Sequence, residues 1–128
     1  MKIAIVGSRK RSFGPGKKVN KIAKEEVEYL VDSLDADDTV VSGGCKGIDS
    51  WAIDAAIKRG LKTHIYLPFI YDTMDYGEMV QEYYRRNREV VNESDVVYAF
   101  VPKDNVKKGG TWYTVNYATQ QGKEVIVL

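Results

Sequence analysis

The chain has 128 residues, with Lys+Arg 19 against Asp+Glu 18 for a formal charge of +1, 44% apolar and 29% charged residues. A chain of this length supports one core and one domain, read here as spanning 1–128, and its composition excludes disordered and fibrous classes. The near-neutral balance supplies no global field for nucleic acid or an anionic membrane.

Five short β-branched runs alternate with longer segments of helical period, the pattern of βαβ units and a mostly parallel sheet. The first strand is Lys2 to Gly7, and Val19, Ile22, Ala23, Val27, Leu30, Val31 and Leu34 then form the apolar stripe of a first helix. A second strand, Thr39 to Ser42, leads to a helix from about Ile48 to Arg59 that Gly60 stops, and a third strand covers Lys62 to Leu67. A third helix over about Gly77 to Glu93 precedes a strand from Asp95 to Val101. A fourth helix opens near Gly110 and ends at Gly122, before a last strand from Glu124 to Leu128. The nearly continuous apolar character of the strands predicts helices on both faces of the sheet. Right-handed crossovers then favour a three-layer α/β fold with order 3-2-1-4-5, whose switch point between strands one and four places a ligand at the carboxyl edge.

Three loops meet there. The loop after strand two reads Ser42-Gly43-Gly44-Cys45-Lys46-Gly47-Ile48-Asp49, where glycines admit a ligand to the backbone and a helix start attracts phosphate. The alternative is a tight strand-to-helix turn with Asp49 as a cap. After strand one, Gly7-Ser8-Arg9 offers a guanidinium for a phosphate or carboxylate, while Lys10, Arg11, Lys17 and Lys18 read as a solvated basic loop. The third loop runs from Pro102 to Thr111, and Gly109, Gly110 and Thr111 place a second anion-binding helix start on the same side of the sheet. Its polar stretch before Gly109 reads either as a mobile flap or as a plain surface loop. On the third helix Arg86 and Asn87 fall on the stripe of Met79, Val80, Tyr83, Val90 and Val91, and such polar groups need a ligand or a loop carbonyl as partner. Tyr83 and Tyr84 read as packing, Cys45 as a small side chain, and His64 as a half-buried strand residue without a role.

The dinucleotide fingerprint fails because Ser42 takes its first glycine position, and no P-loop motif occurs, so no cofactor is expected. A lone Cys45 and a lone His64 leave no disulfide and no metal site. No apolar run reaches the roughly 18 residues of a spanning helix, and the opening MKIAIVGSRK lacks a secretory apolar region, so the chain is read as cytoplasmic with no membrane partner.

Gly7-Ser8-Arg9, Ser42-Gly43-Gly44 with Gly47-Ile48-Asp49, Arg86, Ser94-Asp95 and Gly109-Gly110-Thr111, taken in order over nearly the whole chain, resemble the SLOG superfamily of Rossmann-like nucleotide-binding proteins. One branch that is similar, the Lonely Guy phosphoribohydrolases, releases a base from a nucleoside 5′-monophosphate. Arg86 matches its helix-three arginine and Gly110-Thr111 its glycine-threonine pair, but that motif's glutamate falls on Thr114. The other branch resembles the Rossmann domain of the DNA-processing protein A family, in which a segment similar to Ser42 to Asp49 helps bind single-stranded DNA. The resemblance implies a domain that binds a nucleotide or phosphoribosyl-containing small molecule, with single-stranded DNA as the alternative partner and self-association through helices. Gly7, Ser8, Arg9, Ser42, Gly43, Gly44, Lys46, Gly47, Asn87, Gly109, Gly110 and Thr111 would bind the ligand. Arg86 and Asp49 would serve any cleavage of an N-glycosidic bond.

Overall fold

The computed structural model describes residues 1–104 and 106–128. Five parallel strands, β1 (Lys2–Gly7), β2 (Thr39–Ser42), β3 (Lys62–Ile65), β4 (Val96–Phe100) and β5 (Glu124–Val127), form one sheet in the order β3-β2-β1-β4-β5. This is the order expected from the sequence. The helices are α1 (Arg9–Ser12), α2 (Lys21–Asp32), α3 (Ile48–Lys58), α4 (Tyr76–Glu93) and α5 (Gly110–Gln120), with a 3₁₀ turn at Pro15–Lys17.

Alternation along the strands divides the core in two. Ile3 and Ile5 of β1, Val40 of β2 and Phe100 of β4 pack against Ala23, Val27 and Val31 of α2 and Ala52, Ile53 and Ala56 of α3. Ala4, Val41 and Val97 point to the other face, against Val90 and Val91 of α4 and Ala118 of α5. Each fully buried Val or Ile here contributes about 1.5–3 kcal/mol of transfer free energy. The small residues Ala52 and Ala56 let α3 approach the sheet closely.

The departures from expectation lie at element ends and in one loop. Asn20 caps α2 by accepting from the Ala23 amide, so the helix starts after Val19, and Val19 and Ile22 stay exposed while Ala23, Val27 and Val31 carry the seam. Asp75 accepts from the Glu78 amide and starts α4 at Tyr76. Strand β3 stops at Ile65, and Lys62, His64 and Ile65 are exposed because an edge strand has no outer neighbour. Pro68, which has no amide to donate, follows soon after.

The stretch expected to be a solvated basic loop holds α1, and Arg11 there is buried. Its guanidinium donates to the carbonyls of Val101 (2.9 Å) and Leu128 (2.7 Å) and pairs with Glu26 at 3.2 Å. Three acceptors from distant parts of the chain offset the desolvation of its charge. Lys10, Lys17 and Lys18 remain exposed, as expected.

Candidate functional site

Strands β1 and β4 lie side by side, but β1 feeds α1 and α2 on one face and β4 feeds α5 on the other. Where the chain parts, at the carboxyl ends, a cleft of about 620 Å³ opens. Gly7, Ser8, Arg9, Asp49, Arg86, Asn87, Gly109, Gly110 and Thr111 line it, together with Cys45, Tyr76, Val80, Tyr83, Tyr84 and Thr114. Ser42, Gly43, Gly44, Lys46 and Gly47 do not.

In the glycine loop before α3, four amides are held by the chain's own groups. Gly44 N donates to Ser42 Oγ (3.2 Å), Cys45 N to Asp49 Oδ2 (3.2 Å), Ile48 N to Ser12 Oγ (3.2 Å) and Ser50 N to the Cys45 carbonyl (3.0 Å). Ser12, reaching over from α1, thus does the work of a cap for α3. Two glycines are required by close approach: a Cβ on Gly43 would stand 2.8 Å from Arg86 Cζ, and one on Gly47, at φ +93°, would stand 2.4 Å from Ser12 Oγ. Asp49 does not cap its helix from the N-cap position; it sits in the first turn and holds the Cys45 amide.

Arg86 is buried, with 4% exposure. It donates from Nη1 to the Gly43 carbonyl (2.5 Å), from Nη2 to Cys45 Sγ (3.2 Å) and from Nε to Asn87 Oδ1 (3.0 Å), with its guanidinium carbon 5.7 Å from the Tyr83 ring centroid. Of the two partners the sequence left open for it, the loop carbonyl is the one present. Burial pushes the Asp49 carboxyl up to about 6, against the lowering effects of the Cys45 amide, the Arg86 charge and the Gly43 backbone.

The start of α5 is different. Gly109, at φ +96°, precedes it, and among the described residues no side chain caps it. Thr111 is 9% exposed, and its hydroxyl makes no hydrogen bond among the described residues. Thr114, at the place of a glutamate in the Lonely Guy motif, donates its hydroxyl to the Gly110 carbonyl at 2.9 Å. Arg9 is exposed on the facing wall and has no ion pair among the described residues. Tyr84 stacks on Tyr113 with centroids 4.2 Å apart, so its role is packing, whereas Tyr83 and the exposed Tyr76 form an aromatic end of the cleft. Tyr76 escaped the sequence reading because the helix was expected to start one residue later. His64 stacks on Tyr66 and contacts Glu93 at 3.3 Å, far from the cleft lining. Asn105, within the stretch read as flap or surface loop, lies outside the described residues.

Among the described residues no group of three metal-ligating side chains occurs, and no helix is long and apolar enough to cross a membrane.

Residues 1–75 match the model of the DNA recombination-mediator protein A family. No curated protein matches the sequence. Among solved structures, DNA processing protein A from Streptococcus pneumoniae is 22% identical with a TM-score of 0.73, over 98% of this chain and 49% of that one. The Helicobacter pylori DNA processing protein A, in a structure described as giving insights into its single-stranded DNA binding mode, is 24% identical with a TM-score of 0.70, over 99% of this chain and 64% of that one. The structural-genomics target TM1055 is 20% identical with a TM-score of 0.62, over 97% and 71%. At these identities the likeness is one of fold, and the chain spans about half to two-thirds of the two DNA processing proteins. A Rossmann-like domain of the SLOG superfamily accounts for the strand order and the matched segment together, and the chain belongs to the DNA recombination-mediator protein A family.

Proposed function

We propose that the domain binds a nucleotide in this cleft, with a phosphate at the start of α5 and the base toward Tyr76 and Tyr83. The observation that carries the reading is the uncapped start of α5 with the unpartnered Thr111 hydroxyl, facing Arg9 across about 620 Å³. Three backbone amides at a helix start, a hydroxyl donor and a guanidinium are what an anionic oxygen cluster needs, and the volume falls within the range of small-molecule sites. Gly110, Thr111 and Trp112 supply the amides, Arg9 the charge, and Asn87 a hydrogen-bonding group for sugar or base. Arg86, which holds the glycine loop through two hydrogen bonds and Asn87 through a third, acts as a positioning residue for the cleft floor.

A thermal-shift panel of nucleoside monophosphates and their nucleosides tests this. A phosphate-dependent rise in the midpoint that Arg9→Ala and Thr111→Val both diminish is expected; equal shifts by nucleoside and nucleotide would overturn it.

A second reading, a single-stranded DNA module, is favoured by family membership and by the single-stranded DNA binding mode described for the Helicobacter pylori protein. It predicts oligonucleotide binding that falls steeply with salt and tolerates base sequence. Asp49 supplies the one carboxyl lining the cleft among the described residues, so base release from a bound nucleotide, if it occurs, is lost in Asp49→Asn.

A further inference from the structure

The number of phosphates follows from where the cleft has room for them. An inner anion at α3 would compete with the chain's own acceptors, since Ser42 Oγ, Asp49, Ser12 Oγ and the Cys45 carbonyl take the amides of Gly44, Cys45, Ile48 and Ser50. The α5 side has no such competition, and there Thr111, a residue 9% exposed whose hydroxyl has no hydrogen-bond partner among the described residues, lines the cleft. Next to it in the chain come Lys107 and Lys108, the two residues before Gly109, which itself lines the cleft. Lys107 Nζ lies 5.5 Å from the Trp112 ring centroid, which holds it by the first turn of α5, and Lys108 is exposed with no ion pair among the described residues. Lys10 meets Asp104 at 3.6 Å and so brings α1 to the same rim. Arg9, Lys10, Lys103, Lys107 and Lys108 therefore share one carboxylate, Asp104, in these two segments. At the opposite, tyrosine end the chain carries Asp72, Asp75 and Glu78, with Glu82 paired to Arg85. A phosphate chain seated at Thr111 is repelled from the acidic end and drawn outward over the lysines.

We infer that the ligand carries at least two phosphate groups, the inner one at Thr111 and the start of α5 and the next at Lys107 and Lys108. The inference rests on the nucleotide reading of the cleft. Two sources share this chemistry, a nucleoside diphosphate and a nucleic-acid strand whose next phosphate follows the first.

Calorimetric titration at low salt with AMP, ADP, 5′-phosphorylated thymidine and 5′-phosphorylated pentathymidylate tests it, on the wild-type chain and on Lys107→Gln/Lys108→Gln. Two exposed lysines contribute about a five- to tenfold gain in affinity for the second phosphate. That gain is expected for ADP over AMP if the source is a diphosphate, or for the pentanucleotide over its monomer if the source is a strand. In either case it disappears in the double variant and at high salt, while monophosphate binding and the melting temperature stay unchanged. A gain with neither pair, or one that persists in the double variant, overturns the inference and leaves the nucleotide reading standing. Failure of both monophosphates to bind overturns the nucleotide reading and the inference with it.

Discussion

Replacing Arg86 removes the post that holds the glycine loop against α4. In Arg86→Ala the buried Gly43 carbonyl and the part-buried Cys45 Sγ and Asn87 Oδ1 all lose their donor. Hydrogen bonds to a charged partner contribute about 1.5–3 kcal/mol each, and an acceptor left unpaired in a buried site costs about 1–3 kcal/mol. Burying the guanidinium itself was unfavourable, which offsets part of that sum, and a net loss of about 4 kcal/mol is expected. For a domain of this size that lowers the melting temperature by about 15 °C and removes a large part of a total stability of roughly 5–15 kcal/mol. Arg86→Lys keeps the charge but cannot reach three acceptors at once, so about half of the loss is expected. The assay is thermal and urea denaturation followed by circular dichroism, with Arg9→Ala as control, since an exposed arginine without an ion pair changes stability by less than about 0.5 kcal/mol. A loss below about 1 kcal/mol in Arg86→Ala, or one no larger than in Arg9→Ala, would refute a positioning role and return Arg86 to the ligand.

Further variants separate the scaffold from the site. Asp49 is raised from 3.8 to about 6 by burial, so the folded state binds the extra proton between those values and this group's contribution to stability falls as pH rises through that window. The stability of Asp49→Asn relative to the wild-type chain should accordingly rise by about 3 kcal/mol from pH 4 to pH 7, and a flat difference in urea titrations would contradict it. Ser12→Ala, which leaves the Ile48 amide without its acceptor, should cost about 1–2 kcal/mol by urea denaturation; a neutral result would mean that water or another group caps α3 as well. Gly47→Ala should be worse than Ser12→Ala, because the positive φ and the 2.4 Å approach to Ser12 Oγ both oppose a Cβ. Melting curves of the single and double variants would show the clash term as partial rescue of Gly47→Ala by Ser12→Ala, and no rescue would assign the loss to backbone strain alone.

The strand order was legible because five β-branched runs alternate with helical stripes and right-handed crossovers leave few arrangements. The cleft was legible as a place, since the switch point follows from that order. What the sequence did not show is which of its two glycine-bearing helix starts is open. Both read as anion sites, and the difference is made by Ser12, thirty-six positions from the amide it caps, inside a stretch that looked like solvated basic loop. Arg11 was hidden for the same reason: its carbonyl partners come from the ends of β4 and β5, and no local pattern announces them. Arg86 was found from its place on an apolar stripe, but its contact with the Gly43 carbonyl, forty-three positions away, is visible only in the packed structure. Arg9 has no such distant acceptor among the described residues and remains exposed.

The central claim is that α5, and not α3, presents the anion site. Amide chemical shifts of the ¹⁵N-labelled chain, followed as a nucleoside monophosphate is added, test it directly. The account predicts the largest movements at Gly110, Thr111 and Trp112, with Gly44, Cys45 and Ile48 nearly still. Movements centred on Gly44 to Ile48, with the start of α5 unchanged, would contradict it.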